Sequence, residues 1–178
     1  DKQNNIWFST SDGLFKRSID KSGKAVVEKL PFKTSLKSSA TISLYTDSAG
    51  YIWAGLYGEG VLRINPVTKK ITHLNKELSN GNVLSIAGRG NEVWLATLGG
   101  GIQIRFIGDV LEVKNYGRSE GLVSDYIYQV FIDSQKRIWF ATDGKGAAML
   151  DKSGFHHYEK GLSSKVLYGF AEDANQRI

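Results

Sequence analysis

The chain has no cysteine, only two prolines, one methionine and three histidines in 178 residues, and each shortage excludes something. Without cysteine there is no disulfide framework, so the folded state rests on burial alone. The compartment stays open, because large secreted or periplasmic β domains also stand without disulfides. No apolar run approaches the roughly 18 residues of a spanning helix, and no signal peptide opens the sequence. No segment carries a convincing hydrophobic period of 3.6, which leaves strands as the main element. Basic residues outnumber acidic ones, 23 to 18, for a formal charge of +5. They are scattered singly, as at Lys24, Arg105 and Lys136, with no block and no helix to carry a stripe. That is a solvated surface and not the footprint of a nucleic-acid partner.

What the chain does have is glycine, 20 residues of it, and repetition. Asp133 is followed by Ile138-Trp139-Phe140-Ala141-Thr142 and then Gly144 and Gly146. Asp1 is followed by Ile6-Trp7-Phe8-Ser9-Thr10 and Gly13; Asp47 by Ile52-Trp53-Ala54-Gly55, Gly58 and Gly60. A fourth copy, Val93-Trp94-Leu95-Ala96-Thr97 with Gly99, Gly100 and Gly101, has a shorter turn before it and lacks the Asp. Trp7, Trp53, Trp94 and Trp139 are the whole tryptophan content and are separated by 46, 41 and 45 residues. Such a period belongs to blades or solenoids. A second signature recurs between repeats, as Leu78-Ser79-Asn80-Gly81-Asn82-Val83, as Gly121-Leu122-Val123-Ser124-Asp125-Tyr126-Ile127 and as Gly161-Leu162-Ser163-Ser164-Lys165-Val166, with a worn copy at Leu36-Lys37-Ser38-Ser39-Ala40.

Each repeat reads as four short antiparallel strands. In the second, Thr41–Tyr45, Tyr51–Gly55, Val61–Asn65 and Lys69–Leu74 alternate or cluster β-formers, with Asp47–Gly50, Gly58–Gly60 and Pro66–Thr68 as the turns between them. Four-stranded units of roughly 40 to 45 residues are the pattern of β-propeller blades. The expected fold is therefore all-β, with blades at approximately 1–36 (lacking its first strand), 37–79, 80–122 and 123–164. Residues 165–178 supply the first strand of a following blade at Val166–Phe170. Asp173 to Ile178 repeats Asp133 to Ile138, so the sequence reads as drawn from a longer run of repeats. Four tryptophans in one slot have an architectural task, filling the space between adjacent blades.

Taken together, Leu-x-Ser-(Asn/Asp)-x-(Val/Ile), Asp-x-x-Gly-x-Ile-Trp-x-(Gly/Ala)-Thr and the glycine-rich turn resemble the regulator-propeller repeat. The fit is clean at Asp133–Thr142 and Asp1–Thr10, looser at Tyr51–Gly58, where Leu56 replaces Thr, and altered at Gly88. That repeat builds the periplasmic sensor regions of hybrid two-component histidine kinases of gut Bacteroidetes. The resemblance implies a dimeric, membrane-anchored parent with two seven-bladed propellers and a small immunoglobulin-like domain, sensing oligosaccharides. It carries no cofactor and transfers no binding residue, because the repeat is a scaffold motif.

No catalytic or metal constellation is legible. His73, His156 and His157 fall on fourth strands, at the outer rim of a blade, and adjacent residues such as His156 and His157 face opposite sides of a strand. The recurring Asp47, Asp133 and Asp173 suit turn capping. Gly99-Gly100-Gly101 joins two strands and opens no helix, so it is no phosphate loop. Strand order does mark a face: fourth-to-first and second-to-third loops share one end of every blade, around the channel mouth. There Tyr57, Asn80, Asn82, Asp125, Tyr126, Asp143 and Lys145 offer amides, carboxylates and tyrosine rings suited to sugar hydroxyls and C–H faces. Streptogramin lyases are propellers with similar repeats, but they need a catalytic histidine and a metal near the channel, and no histidine here maps to inner strands. A protein-binding scaffold would need a broad apolar patch on the loop face.

Overall fold

A computed structural model describes residues 1–31, 36, 40–108 and 110–178. Their strands form one three-stranded and three four-stranded antiparallel sheets, each a meander in which sequence neighbours pair. Blade one is β1 (Ile6–Thr10), β2 (Gly13–Ile19) and β3 (Ala25–Lys29). Blade two is β4 (Thr41–Thr46), β5 (Ile52–Leu56), β6 (Val61–Ile64) and β7 (Ile71–Leu74). Blade three is β8 (Val83–Arg89), β9 (Glu92–Thr97), β10 (Gly100–Ile107) and β11 (Val110–Tyr116). Blade four is β12 (Ile127–Ile132), β13 (Ile138–Thr142), β14 (Ala147–Asp151) and β15 (Gly154–Tyr158). A single 3-10 turn, Arg118–Glu120, is the helical content among the described residues.

Among the described residues the first blade has three strands. The worn Leu36–Ala40 signature and the boundary at residue 37 fall mostly outside the described residues. One expected element is not formed: Val166–Phe170 is no strand. It runs across blade four, with the Leu167 N–H donating to the Thr142 carbonyl at 3.1 Å and Phe170 packing on Phe131 and Trp139. A strand needs a second strand to complete its ladder, and this segment has none among the described residues.

The hydrophobic core lies between sheets. Trp7 joins Leu14 and Leu30 of blade one to Ile52, Ala54, Leu62 and Ile64 of blade two. Trp53 lies among Val83, Ile86, Val93, Leu95, Ile102 and Ile104 of blade three. Trp94 lies among Leu122, Ile127, Val130, Ile138 and Phe140, mostly of blade four, and Trp139 packs with Leu167 and Phe170. Every tryptophan thus points toward the next blade or segment along the chain. Trp53, Trp94 and Trp139 are 1%, 1% and 8% exposed; Trp7 is only half-buried, in the blade with one strand fewer.

The recurring aspartates do more than cap turns. Oδ1 of Asp1, Asp47 and Asp133 accepts the backbone N–H of Asn5, Tyr51 and Arg137 at 2.8 to 2.9 Å. Oδ2 accepts the indole N–H of Trp7, Trp53 and Trp139 at 2.7 to 2.8 Å. One carboxylate therefore ties the turn to the ring six residues on, and satisfies a donor that burial would otherwise strand. Blade three lacks the Asp because β8 and β9 meet in the short Gly90-Asn91 turn; there Glu92 Oε2 receives the Trp94 indole at 3.2 Å and also pairs with Arg89 and Arg105.

The fourth residue of these turns donates to the Asp carbonyl and sits in the left-handed region: Asn4, Gly50, Lys136 and Gln176 have φ of 58, 93, 64 and 61°. Only glycine enters that region without a Cβ penalty. Lys136→Gly, copying Gly50, is therefore expected to raise stability by about 0.5 to 1 kcal/mol, after the extra unfolded-state entropy of glycine is counted. A lower melting temperature would refute this reading of the turn.

Candidate functional site

The loops that converge on one face are held there by a repeated hydrogen bond. The N–H groups of Gly60, Gly100 and Gly146 donate to the carbonyls of Gly81, Asp125 and Lys165 at 2.8, 2.6 and 2.7 Å. Each bond joins the second-to-third loop of one blade to the entry loop that comes after it. These glycines have φ of 75, 113 and 71°. A Cβ there would meet the carbonyl oxygen of Leu74, Tyr116 or Tyr158 at 2.2 to 2.3 Å, so both dihedral and space demand glycine. Within blades two and four, Tyr57 N–H donates to Ala40 and Asp143 N–H to Tyr126, at 3.3 and 3.0 Å. The expectation that both loop classes share an end of the blade agrees with these bonds.

The seven loop-face candidates differ in how free they are. Tyr57 and Tyr126 are 55% and 52% exposed, and Asp143 and Lys145 are also exposed. Asn80 is spent on its own turn, since its Oδ1 accepts both the N–H and the Nδ2–H of Asn82 at 2.8 and 3.0 Å. Ser124 and Ser164 do the same for Tyr126 and Val166. Asp125 accepts the Arg118 N–H at 3.1 Å and pairs with its guanidinium at 3.4 Å. Asn80 and Asp125 thus shape the face more than they present chemistry.

Two further tyrosines stand beside these. Tyr128 lies on the inner strand of blade four, and its ring is 5.1 Å from that of Tyr168, at 34°. Partial burial pushes the Tyr128 phenol up, and the nearby Asp143 carboxylate adds to the rise. The alternation Ile127-Tyr128-Gln129-Val130 reads simply as strand, so pattern alone misses these residues. The signal that could have found them is alignment of the repeats, which sets Tyr128 and Tyr168 each four residues after the turn serines 124 and 164.

Histidine chemistry lies elsewhere. His73 is on β7 and bonds the Glu59 carbonyl at 2.6 Å; His157, on β15, bonds that of Gly121 at 3.0 Å. His156 Nε2 meets Ser153 Oγ at 2.8 Å and Asp151 Oδ1 at 3.2 Å. This is no catalytic relay, because serine and aspartate share one ring nitrogen instead of bonding opposite ones. The Ser153 hydroxyl and N–H, with His156, hold the exposed Asp151 carboxyl down to about 2. Among the described residues no group of three His, Asp or Glu is arranged to hold a metal ion. A cavity of about 210 Å³ between blades two and three is lined by Asp47, Trp53, Arg63, Asn91 and Phe106, and one of about 280 Å³ by Glu59, His73, Asn75 and Lys76. Neither contains any of the seven candidates.

Residues 121–144 match the family model of the two component regulator propeller. In structure, the chain is similar to the extracellular domain of a protein described as a hybrid two component system of B. thetaiotaomicron, with a TM-score of 0.82 and 24% identity, over 99% of this chain and 25% of that one. A second such domain from the same organism gives 0.69 and 18%, over 88% and 24%. Virginiamycin B lyase from Staphylococcus aureus gives 0.72 and 14%, over 99% and 59%. The chain thus spans about a quarter of the length of the two extracellular domains. No curated protein sequence matches it, and no helix among the described residues is long and apolar enough to cross a membrane. The stretch 121–144, which carries the Asp133–Trp139 clamp, is similar to a two component regulator propeller repeat, and the chain around it has the blade fold found in the extracellular domains of hybrid two component systems.

Proposed function

We propose that the chain is part of a periplasmic, ligand-sensing propeller of a hybrid two-component sensor kinase, with no enzymatic activity of its own. Its loop face recognises oligosaccharides, and the remaining blades and a dimer partner of the membrane-anchored parent carry the signal to the kinase. The observation that supports this most is the regulator-propeller match at residues 121–144, on a fold shared with extracellular two-component domains. The composition of the face agrees with it. Exposed Tyr57 and Tyr126 offer ring faces, and Asn82, Asp143 and Lys145 offer donors and acceptors for hydroxyls. The lyase reading, raised by the likeness to virginiamycin B lyase, needs a catalytic histidine near the channel. Here the histidines sit on outermost strands.

Glycan-array screening of the complete ectodomain, followed by calorimetry, is expected to find an oligosaccharide that binds without turnover. The Asn82→Ala/Tyr126→Ala double variant should weaken it at least tenfold. Turnover of a bound glycan, or opening of a streptogramin ring, would overturn the reading; so would binding indifferent to the double variant.

A further inference from the structure

Packing between blades leaves one residue of each complete inner strand unused. In β8, Val83 and Ile86 face blade two within the core around Trp53, while Ser85 Oγ turns to blade four and the Val130 carbonyl at 3.5 Å. In β12, Ile127 and Val130 face blade three, while Gln129 Oε1 accepts the Phe170 N–H of the C-terminal segment at 2.5 Å. In β4, Ser43 Oγ turns to the Val83 carbonyl of blade three at 3.4 Å. The register slips at the same place in all three strands, between Thr41 and Ser43, Val83 and Ser85, and Ile127 and Gln129. A bulge adds a residue and re-aims a side chain. The added residues are Ile42, Leu84 and Tyr128. Their neighbours already occupy both faces of the sheet, so the bulge residue is left to the open edge of the inner strand, which borders the channel. Ile42 is exposed, and Tyr128 reaches Tyr168, at the equivalent position of the next segment, ring to ring at 5.1 Å. Ile42, Leu84 and Tyr128 therefore hold equivalent bulge positions, one to a blade, and Tyr168 stands beside the last of them.

We propose that this bulge position selects the ligand, and that Tyr128 and Tyr168 form an aromatic platform for the C–H face of a pyranose ring, with Ile42 and Leu84 continuing the apolar wall. Asp143, exposed on the same face and tied by its N–H to the Tyr126 carbonyl at 3.0 Å, stands ready for sugar hydroxyls, so stacking and hydroxyl recognition meet at one point. The inference rests on the oligosaccharide reading above and assigns its specificity to the inner strands as well as to the loops. The test uses the complete ectodomain and the hexasaccharides of cellulose, amylose, xylan and mannan as probes. For whichever binds, Tyr128→Ala and Tyr168→Ala are each expected to weaken affinity at least tenfold, and Tyr128→Phe, which keeps the ring face, less than threefold. Tyr168 lies outside any strand, so its variant stays informative if Tyr128→Ala unfolds. Affinity within twofold of the parent in Tyr168→Ala and in any folded Tyr128→Ala protein overturns this inference and leaves the loop-face reading standing. Failure of all four probes to bind the unaltered ectodomain overturns both.

Discussion

Trp94→Ala is expected to cost about 3 to 5 kcal/mol, the range for truncating a buried large aromatic where the surroundings cannot collapse. Trp94 is 1% exposed and lies 6.0 Å from Phe140 and 5.3 Å from Tyr116, ring centre to ring centre, with Leu122, Ile127 and Val130 closing the site. All of those neighbours except Leu122 belong to sheets held rigid by their own ladders, so the cavity would persist. Trp7→Ala is the internal comparison: it is half-buried in a three-stranded blade and should cost clearly less. Urea denaturation of the two variants decides the matter. A loss under about 1 kcal/mol for Trp94→Ala, or equal losses at the two sites, would contradict a core built between blades.

Asp133→Asn should cost about 2 to 4 kcal/mol, although it changes almost no volume. The Asp133 side chain is fully buried and receives Trp139 Nε1–H, Arg137 N–H and the Arg137 guanidinium. An amide can satisfy one oxygen's partners, but its NH2 then confronts donors with a donor, and the half-buried Arg137 guanidinium loses its counter-charge. The same geometry sets a pH dependence. Burial on its own would raise the Asp133 carboxyl, but the bonds from Trp139 and Arg137 outweigh it and hold the group below the usual range. Glu92 behaves alike, with Arg89, Trp94 and Arg105 outweighing burial. A carboxyl lowered in the folded state contributes stability that is fully present above its unfolded value, near 4, and is lost as pH falls through the folded value. Melting temperature should therefore be flat from about pH 7 to 5 and fall below about pH 4, less steeply in Asp133→Asn than in the unaltered protein. A profile that rises on acidification would refute the clamp.

Much of the fold was legible because its signals are local and repeated. A tryptophan between β-formers, a glycine where φ is positive and an Asp or Ser at a turn each act over a few residues. Four imperfect copies correct one another, which is why the strands of blade two fall within a residue or two of their expected limits. The loop face followed from strand order alone. What the pattern could not hold was anything that depends on a relation between distant segments. The Asp-to-indole bond exists only once the turn folds the next strand back over its own carboxylate, and Glu92 substitutes for the missing Asp only because a tighter turn brings it beneath Trp94. The failure of Val166–Phe170 to form a strand, despite its composition, reflects the same fact, since a strand is a pairing and not a propensity. Which candidates are free, Tyr57 and Tyr126, and which are spent on turns, Asn80 and Asp125, was settled by hydrogen bonds inside the loops. The bulge positions of Ile42, Leu84 and Tyr128 have no mark in local sequence: they are set by register across the sheet. The sequence by itself determined the blades and their order; the tertiary structure decided which side chains their packing leaves over, because only packing shows which faces are already taken.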